Sequence, residues 1–264
     1  MANKIAIVTG ASGGIGTEAA AFLRNSGCTV YDLSRSNNPQ DGIKHIRCDV
    51  TDEESVKSAV DTVIKESGRV DILVNCAGMG ISGAVEFTKP EDSFRQMDVN
   101  LFGTDRVVRA VLPVMRKQRT GRLVMTGSVA GMTPIPFQAW YSASKAAIIS
   151  YSMALMNEVR PYGISVAVIN PGDIKTGFTA ARKKSVQGNG EYSGRIERSV
   201  RKMEKDEQNG LPASYAGMIV AKAALKKSPK PICSTGFIYG FLCTLVKVLP
   251  TRVSQWVLYR MYAR

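Results

Sequence analysis

Histidine is almost absent from this sequence. His45 is the only one, and it sits between Ile43 and Ile46 in a segment that reads as a strand. That placement marks a structural residue, and it removes histidine-based triads and most zinc sites from the candidate chemistries. The five cysteines (Cys28, Cys48, Cys76, Cys233, Cys243) are scattered, with no Cys-x-x-Cys pair and no signal-peptide pattern. Reduced thiols, a cytoplasmic setting and no structural metal are therefore expected. No apolar run reaches the roughly twenty residues that a membrane-spanning helix needs. Acidic residues are in deficit, 22 against 35 basic, for a net charge of +13. Such a balance suits nucleic acid, an anionic membrane or a phosphorylated cofactor. No nucleic-acid module is recognisable, so nucleic acid is not an expected partner.

The 264 residues suit one large α/β domain spanning 1–264. Lys4–Thr9 is a short apolar run of the buried parallel-strand kind. It leads into Gly10-Ala11-Ser12-Gly13-Gly14-Ile15-Gly16 and then a helical pattern through Ala19, Ala20, Phe22 and Leu23. Strand, glycine-rich turn, helix is an arrangement that offers backbone N–H groups and a helix N-terminus to a pyrophosphate. The second strand, Thr29–Ser34, ends in Ser34-Arg35, where NAD-binding folds usually carry an acidic residue. Asp32 lies two positions earlier and is expected to face away. A hydroxyl and a guanidinium suit a ribose 2′-phosphate, so the expected cofactor is NADP(H) rather than NAD(H).

Strands are expected at Ile43–Asp49, Val70–Val74, Arg122–Thr126, Ile164–Ile169 and Pro231–Ser234. Helices alternate with them: one near Asp52–Ser67 capped by Thr51, one from Pro90 running through Asn100 to about Arg116, one carrying Tyr141 to Arg160, and one over Ala213–Lys226. The alternation predicts a single-domain doubly wound Rossmann fold, a parallel sheet of about seven strands with helices on both faces. Small residues after the fourth strand, Asn75-Cys76-Ala77-Gly78, let a ligand approach the backbone.

Tyr141 and Lys145 stand four apart on one helical face. A phenol has an ordinary pKa near 10, and a neighbouring ammonium favours its ionised form, which proton transfer near neutrality requires. Ser128 closes the strand thirteen positions before Tyr141. Residues 177–210 read as a segment covering the active site. The basic cluster there (Arg182, Lys183, Lys184, Arg195, Arg198, Arg201, Lys202, Lys205) reads as a solvated helix face. In the tail, 237–264, the apolar run Phe237–Val246 precedes an amphipathic helix, Thr251–Tyr262, with Val253, Trp256, Val257, Tyr259 and Met261 beside Arg252, Arg260 and Arg264. Two readings stand open for it: packing on the body or a dimer partner, and peripheral membrane contact.

Together these residues resemble the short-chain dehydrogenase/reductase family across residues 4 to 236. The likeness rests on Thr9-Gly10-x-x-x-Gly14-x-Gly16, Asp49-Val50, Asn75-x-Ala77-Gly78, Asn100, Ser128, Tyr141-x-x-x-Lys145 and Pro171-Gly172. Cys76 departs from the family's usual second asparagine. The resemblance implies that Tyr141 is the general acid/base, that Ser128 bonds the substrate oxygen, and that Lys145 binds the nicotinamide ribose and lowers the tyrosine pKa. Asn100 would hold a water linking the lysine to solvent. Gly10, Ser12, Gly14, Ile15 and Gly16 would cradle the cofactor phosphates. Asp49 and Val50 would meet the adenine, and Asn75, Ala77 and Gly78 the adjacent ribose region. Pro171, Gly172, Ile174 and Thr176 would meet the nicotinamide. Assembly as a homodimer or homotetramer is also implied.

Val124–Gly131 and Pro161–Val166 are similar to the branch of 17β-hydroxysteroid and retinol dehydrogenases. That likeness implies a hydrophobic alcohol or ketone such as a steroid or retinoid. A 3-oxoacyl-thioester reductase is the alternative within the fold. A non-catalytic cofactor-binding regulator is the alternative outside catalysis, and the retained Ser, Tyr and Lys speak against it.

Overall fold

The first strand is buried from end to end because both of its faces are covered. Ile5 and Ile7 point to one side of the sheet, Ala6 and Val8 to the other. The computed structural model describes residues 3–264. The sheet is built from β1 (Ile5–Thr9), β2 (Thr29–Ser34), β3 (Ile43–Arg47), β4 (Ile72–Asn75), β5 (Gly121–Thr126), β6 (Ile164–Asn170) and β7 (Ile232–Ser234). The order is β7-β6-β5-β4-β1-β2-β3, and every neighbouring pair is parallel. The doubly wound fold is thus as expected, with the order reversing between β1 and β4. Open α/β sheets bind ligands at the carboxyl ends of the strands at such a reversal.

Helices α1 (Gly14–Asn25), α2 (Glu53–Ser67), α3 (Pro90–Met97), α4 (Gly103–Gln118) and α5 (Ala139–Val159) fill the first two-thirds of the chain. Valines of α2 and α4, with Ile148 and Leu155 of α5, pack on the Ile5/Ile7 face. On the opposite face Ala19, Ala20 and Leu23 of α1 meet Val220, Ala221 and Ala224 from a later helix, Ala213–Leu225. The small side chains let these two helices approach closely: a Cβ on Gly217 would run into Glu18 and Ala19.

Two local expectations need correction. The cap of α2 is Asp52, whose carboxylate accepts from the N–H of Glu54 and Ser55, whereas Thr51 bonds Asp49. The helix expected to run unbroken from Pro90 to Arg116 is divided by a π-turn at Asp98–Phe102 that carries Asn100. Such single wide turns are frequent at functional sites.

The covering segment is better ordered than its composition suggests. It forms α6 (Phe178–Ala181), a short pairing of Lys183–Lys184 with Ile81–Ser82, and α7 (Arg195–Gln208). Ile196, Ser199, Val200 and Met203 give α7 a buried face at helical spacing. The solvated-face reading of the basic cluster fails at Arg182, which is only 5% exposed and is held by Glu207. α8 (Ala213–Leu225) precedes β7, and α9 (Phe237–Val248) and α10 (Thr251–Tyr262) complete the chain. The apolar residues that the sequence singles out in α10 lie toward the outside of the molecule: Val253, Trp256, Val257, Tyr259 and Met261 are between 39% and 60% exposed. Among the described residues, no helix is long and apolar enough to cross a membrane.

Candidate active site

The glycine-rich turn is fixed before any ligand is considered. Gly10 and Gly14 take left-handed φ values of 68° and 55°, a region that side chains with a Cβ avoid. A Cβ on Gly16 would collide with the Gly10 carbonyl, so α1 can begin close against the strand. Asp32 has a role that sequence reading missed. Its buried carboxylate faces the turn, accepting from the Ala11 N–H at 3.1 Å, from the Ser34 hydroxyl at 2.8 Å and from His45 Nδ1 at 3.1 Å. His45 is thereby a structural residue. The residue before α1 is Gly13, which offers no side-chain cap, and the first turn carries no acidic residue. Its first N–H groups are therefore available to an anion, and beyond Gly13 there is open space. A pyrophosphate fits this cradle in charge and in shape.

Thr9 connects the two strand ends at the reversal. Its hydroxyl donates to Asn75 Oδ1 at 3.2 Å and accepts from the N–H of Cys76 and Ala77 at 3.2 and 3.1 Å. Gly78 follows, and a Cβ placed there would stand 3.4 Å from Asn100 Oδ1 and 3.8 Å from Lys145 Nζ. The glycine thus leaves the approach to the lysine clear. Thr176, on the loop after β6, lies beside Gly14, so that loop meets the phosphate turn. Pro171 and Ile174 are buried, whereas Gly172 is overlain by Tyr239 of α9: a Cβ there would fall inside the ring. At the far end, Ser34 is buried and Arg35 is exposed. Arg35 and Arg95 are close enough to Asp49 to help Thr51 hold its carboxyl below the usual range against the opposing effect of burial. Val50, next to it, packs on Gly103.

Ser128, Tyr141 and Lys145 converge at the carboxyl ends of β5 and β4. Lys145 is 6% exposed and donates to the Thr126 carbonyl at 2.8 Å, with its Nζ 5.9 Å from the centre of the Tyr141 ring. Burial depresses the lysine pKa to about 8, and Cys76 nearby opposes this weakly. For Tyr141 the net direction is upward: burial outweighs the hydrogen bond with Ser128 and the Arg182 guanidinium, which both favour the phenolate, while Glu207 adds to the rise. Asn100 is fully buried; its Oδ1 accepts from the Met79 N–H at 2.9 Å, and its Nδ2 donates to the Met79 carbonyl at 3.1 Å and to Ser144 Oγ at 3.0 Å. The amide so ties the Gly78–Gly80 loop to the helix that carries the tyrosine.

The roof of the site comes from residues with no readable signal in sequence. The Phe178 ring lies 5.7 Å from that of Tyr141 and rests on Gly80. Arg182 sits over Phe178 and pairs with Glu207, which also accepts from Thr179 at 2.6 Å. A second guanidinium nitrogen of Arg182, Nη1, is buried without a partner.

A serine, a tyrosine and a buried lysine at the strand ends, beside a glycine-rich turn open to an anion, are arranged as in a nucleotide-dependent oxidoreductase. Residues 4–187 match the model of the short chain dehydrogenase family, and the chain belongs to that family. Its similarity to the 3-ketodihydrosphingosine reductase of Bacteroides thetaiotaomicron is 39% identity over 100% of this chain and 99% of that protein. The 3-oxoacyl-[acyl-carrier-protein] reductase of Escherichia coli is 38% identical over 67% of this chain and 76% of its own length. A crystal structure of a short-chain dehydrogenase from Streptomyces avermitilis superposes with a TM-score of 0.85 at 28% identity, covering 97% of this chain and 96% of that one.

Proposed function

We propose that the protein is an NADPH-dependent reductase of a long-chain, lipid-like ketone, with a 3-keto sphingoid base as the best-supported substrate. The observation that carries this reading is a half-buried tyrosine placed to donate a proton, with Ser128 beside it and the Phe178 ring packed on it. The relative named for 3-ketodihydrosphingosine aligns along the whole chain, tail included, whereas the acyl-carrier-protein reductase aligns over two-thirds of it. The same comparison gives the sphingoid ketone more support than the steroid or retinoid expected from short segments.

When bound, the nicotinamide supplies the hydride that reduces the carbonyl carbon. Ser128 holds the carbonyl oxygen, and Tyr141 gives that oxygen its proton as negative charge develops on it, leaving an alcohol. Lys145 returns a proton to Tyr141 from the Gly78 side, and Asn100 would hold a water that links the lysine to solvent. The first-turn N–H groups of α1 bind the pyrophosphate, and Arg35 meets a 2′-phosphate. Assembly as a homodimer or homotetramer, through helices that include α5, belongs to the same reading.

The test is oxidation of NADPH and NADH over a panel of ketones: a 3-keto sphingoid base, a steroid, retinal, an acyl thioester and a small polar carbonyl. The expected result is NADPH-dependent turnover of the long-chain ketone. Turnover of thioesters alone would instead assign the chain to acyl-thioester reduction. Arg35→Asp is expected to weaken NADPH binding by about 10- to 100-fold and leave NADH within severalfold, since one charge-assisted contact to a phosphate is lost. An unchanged NADPH affinity would mean that the 2′-phosphate lies elsewhere.

A further inference from the structure

The chain carries no acidic residue after Glu207, while Lys222, Lys226, Lys227, Lys230, Arg252, Arg260 and Arg264 all fall in that stretch. Its last two helices turn their apolar side chains outward. On α9, Phe237 (89% exposed), Ile238 (69%), Phe241, Leu242, Leu245 and Val248 (79%) recur at helical spacing as one stripe. The inner side of that helix is the anchored one. Tyr239 overlies Gly172 and donates to Asp173 at 2.9 Å, and Cys243 is buried. α10 is held likewise from within, by buried Ser254 and by the Tyr262 hydroxyl, which donates to Asp206 at 3.2 Å. Its outer side interleaves Trp256 and Tyr259 with Arg252 and Arg260, the Arg260 guanidinium lying 5.6 Å from the Trp256 ring.

A stripe of this kind is too large to be chance surface apolarity and marks a contact site. Its charge decides between occupants. In a two-fold pair of copies joined through these helices, the arginines of one chain would be brought toward those of the other, and neither α9 nor α10 carries a carboxylate to compensate. An anionic lipid surface instead offers hydrocarbon to the stripe, an interfacial layer to Trp256 and Tyr259, and phosphates within reach of arginine side chains. We propose that α9 and α10 together lie flat on an anionic lipid bilayer. α9 starts directly after β7, at the carboxyl edge of the sheet, and contacts Gly172 and Asp173, so the bilayer faces the side of the molecule that holds Ser128, Tyr141 and Lys145. The surface assignment stands apart from the substrate reading and is tested without substrate.

The experiment is co-sedimentation of the full chain with vesicles of phosphatidylcholine alone and of phosphatidylcholine mixed with phosphatidylglycerol. It is paired with Trp256 emission in a Trp140→Phe background. Preferential binding to the anionic vesicles with a blue shift of Trp256 is expected, weakening as salt is raised. Phe237→Ser/Phe241→Ser and Arg252→Glu/Arg260→Glu should each lower partitioning by on the order of tenfold or more. Thermal melts identify any variant that fails to fold, and NADPH turnover of a water-soluble ketone should be unchanged in both, as none of the four residues touches the site. Failure of the wild-type chain to bind anionic vesicles would overturn the proposal. So would binding that both double variants retain, or a Phe237→Ser/Phe241→Ser change that only splits an oligomer.

Discussion

Tyr141→Phe is expected to lower kcat for ketone reduction by about 10³-fold, within the range that a positioned general acid supplies, while NADPH affinity changes less than about threefold. The substitution removes one oxygen and keeps the ring, so the packing against Phe178 stays and the roof closes as before. The phenol is the group through which a proton reaches the nascent alkoxide; Ser128 can donate a hydrogen bond to that oxygen but has no path by which to replace a lost proton. Burial holds the Tyr141 pKa above the ordinary value. The donor form therefore predominates through the neutral and mildly alkaline range, and reduction should decline for want of that form only above the ordinary phenol value of about 10. The reverse oxidation needs the phenolate and should rise as the pH climbs toward that value. Stopped-flow single turnovers separate the chemical step from product release, and a fluorescence titration gives cofactor affinity. Activity retained within tenfold would remove Tyr141 from the mechanism.

The distinction between what sequence reveals and what it hides is a matter of distance along the chain. Tyr141 and Lys145 are readable because one helical turn dictates their adjacency, and the glycine turn is readable because strand, turn and helix are contiguous. Seven parallel strands follow from apolar runs recurring between helical patterns. Asp32 was expected to face away, and its inward position depends on β2 alternating so that Tyr31 and Leu33 point to the α2 side and Val30 and Asp32 to the α1 side, beneath the glycine turn. Arg182 opens an Arg-Lys-Lys run that looks solvated. Only when α7 brings Glu207 back across the site does one of the three cations become buried. Phe178, Glu207 and Tyr239 reach the site from three different elements, and no local spacing relates them to Tyr141. The apolar side chains of α10 are legible as a pattern, but their outward orientation is a property of how Ser254 and Tyr262 anchor the helix.

Lys145→Met is expected to abolish turnover and at the same time stabilise the nucleotide-free protein at neutral pH. The two effects share a cause. Burial lowers the lysine from its ordinary 10.5 to about 8 in the folded chain, a gap worth roughly 3 kcal/mol at 1.36 kcal/mol per unit. Between those two values the unfolded chain binds more protons than the folded one, so the lysine's unfavourable contribution is complete below pH 8 and is relieved as pH rises toward 10.5. Methionine has a similar length and carries no charge, so it escapes that cost. It leaves the Thr126 carbonyl without its partner, which takes back about 1–2 kcal/mol. The net gain is about 1–2 kcal/mol near pH 7, a rise in Tm of about 2–6 °C for a chain of this size. The gain should shrink, and then reverse, as the pH approaches 10.5, because the neutral amine of the wild type still bonds Thr126. Melts of both proteins from pH 6 to pH 10 would display the convergence. Loss of stability at every pH would mean that Lys145 is needed for packing; a gain that ignores pH would place its cost in shape rather than in charge. A residue retained at a stability cost under the Phe178 roof, and lost only with the loss of catalysis, is what a buried ammonium in a proton path predicts.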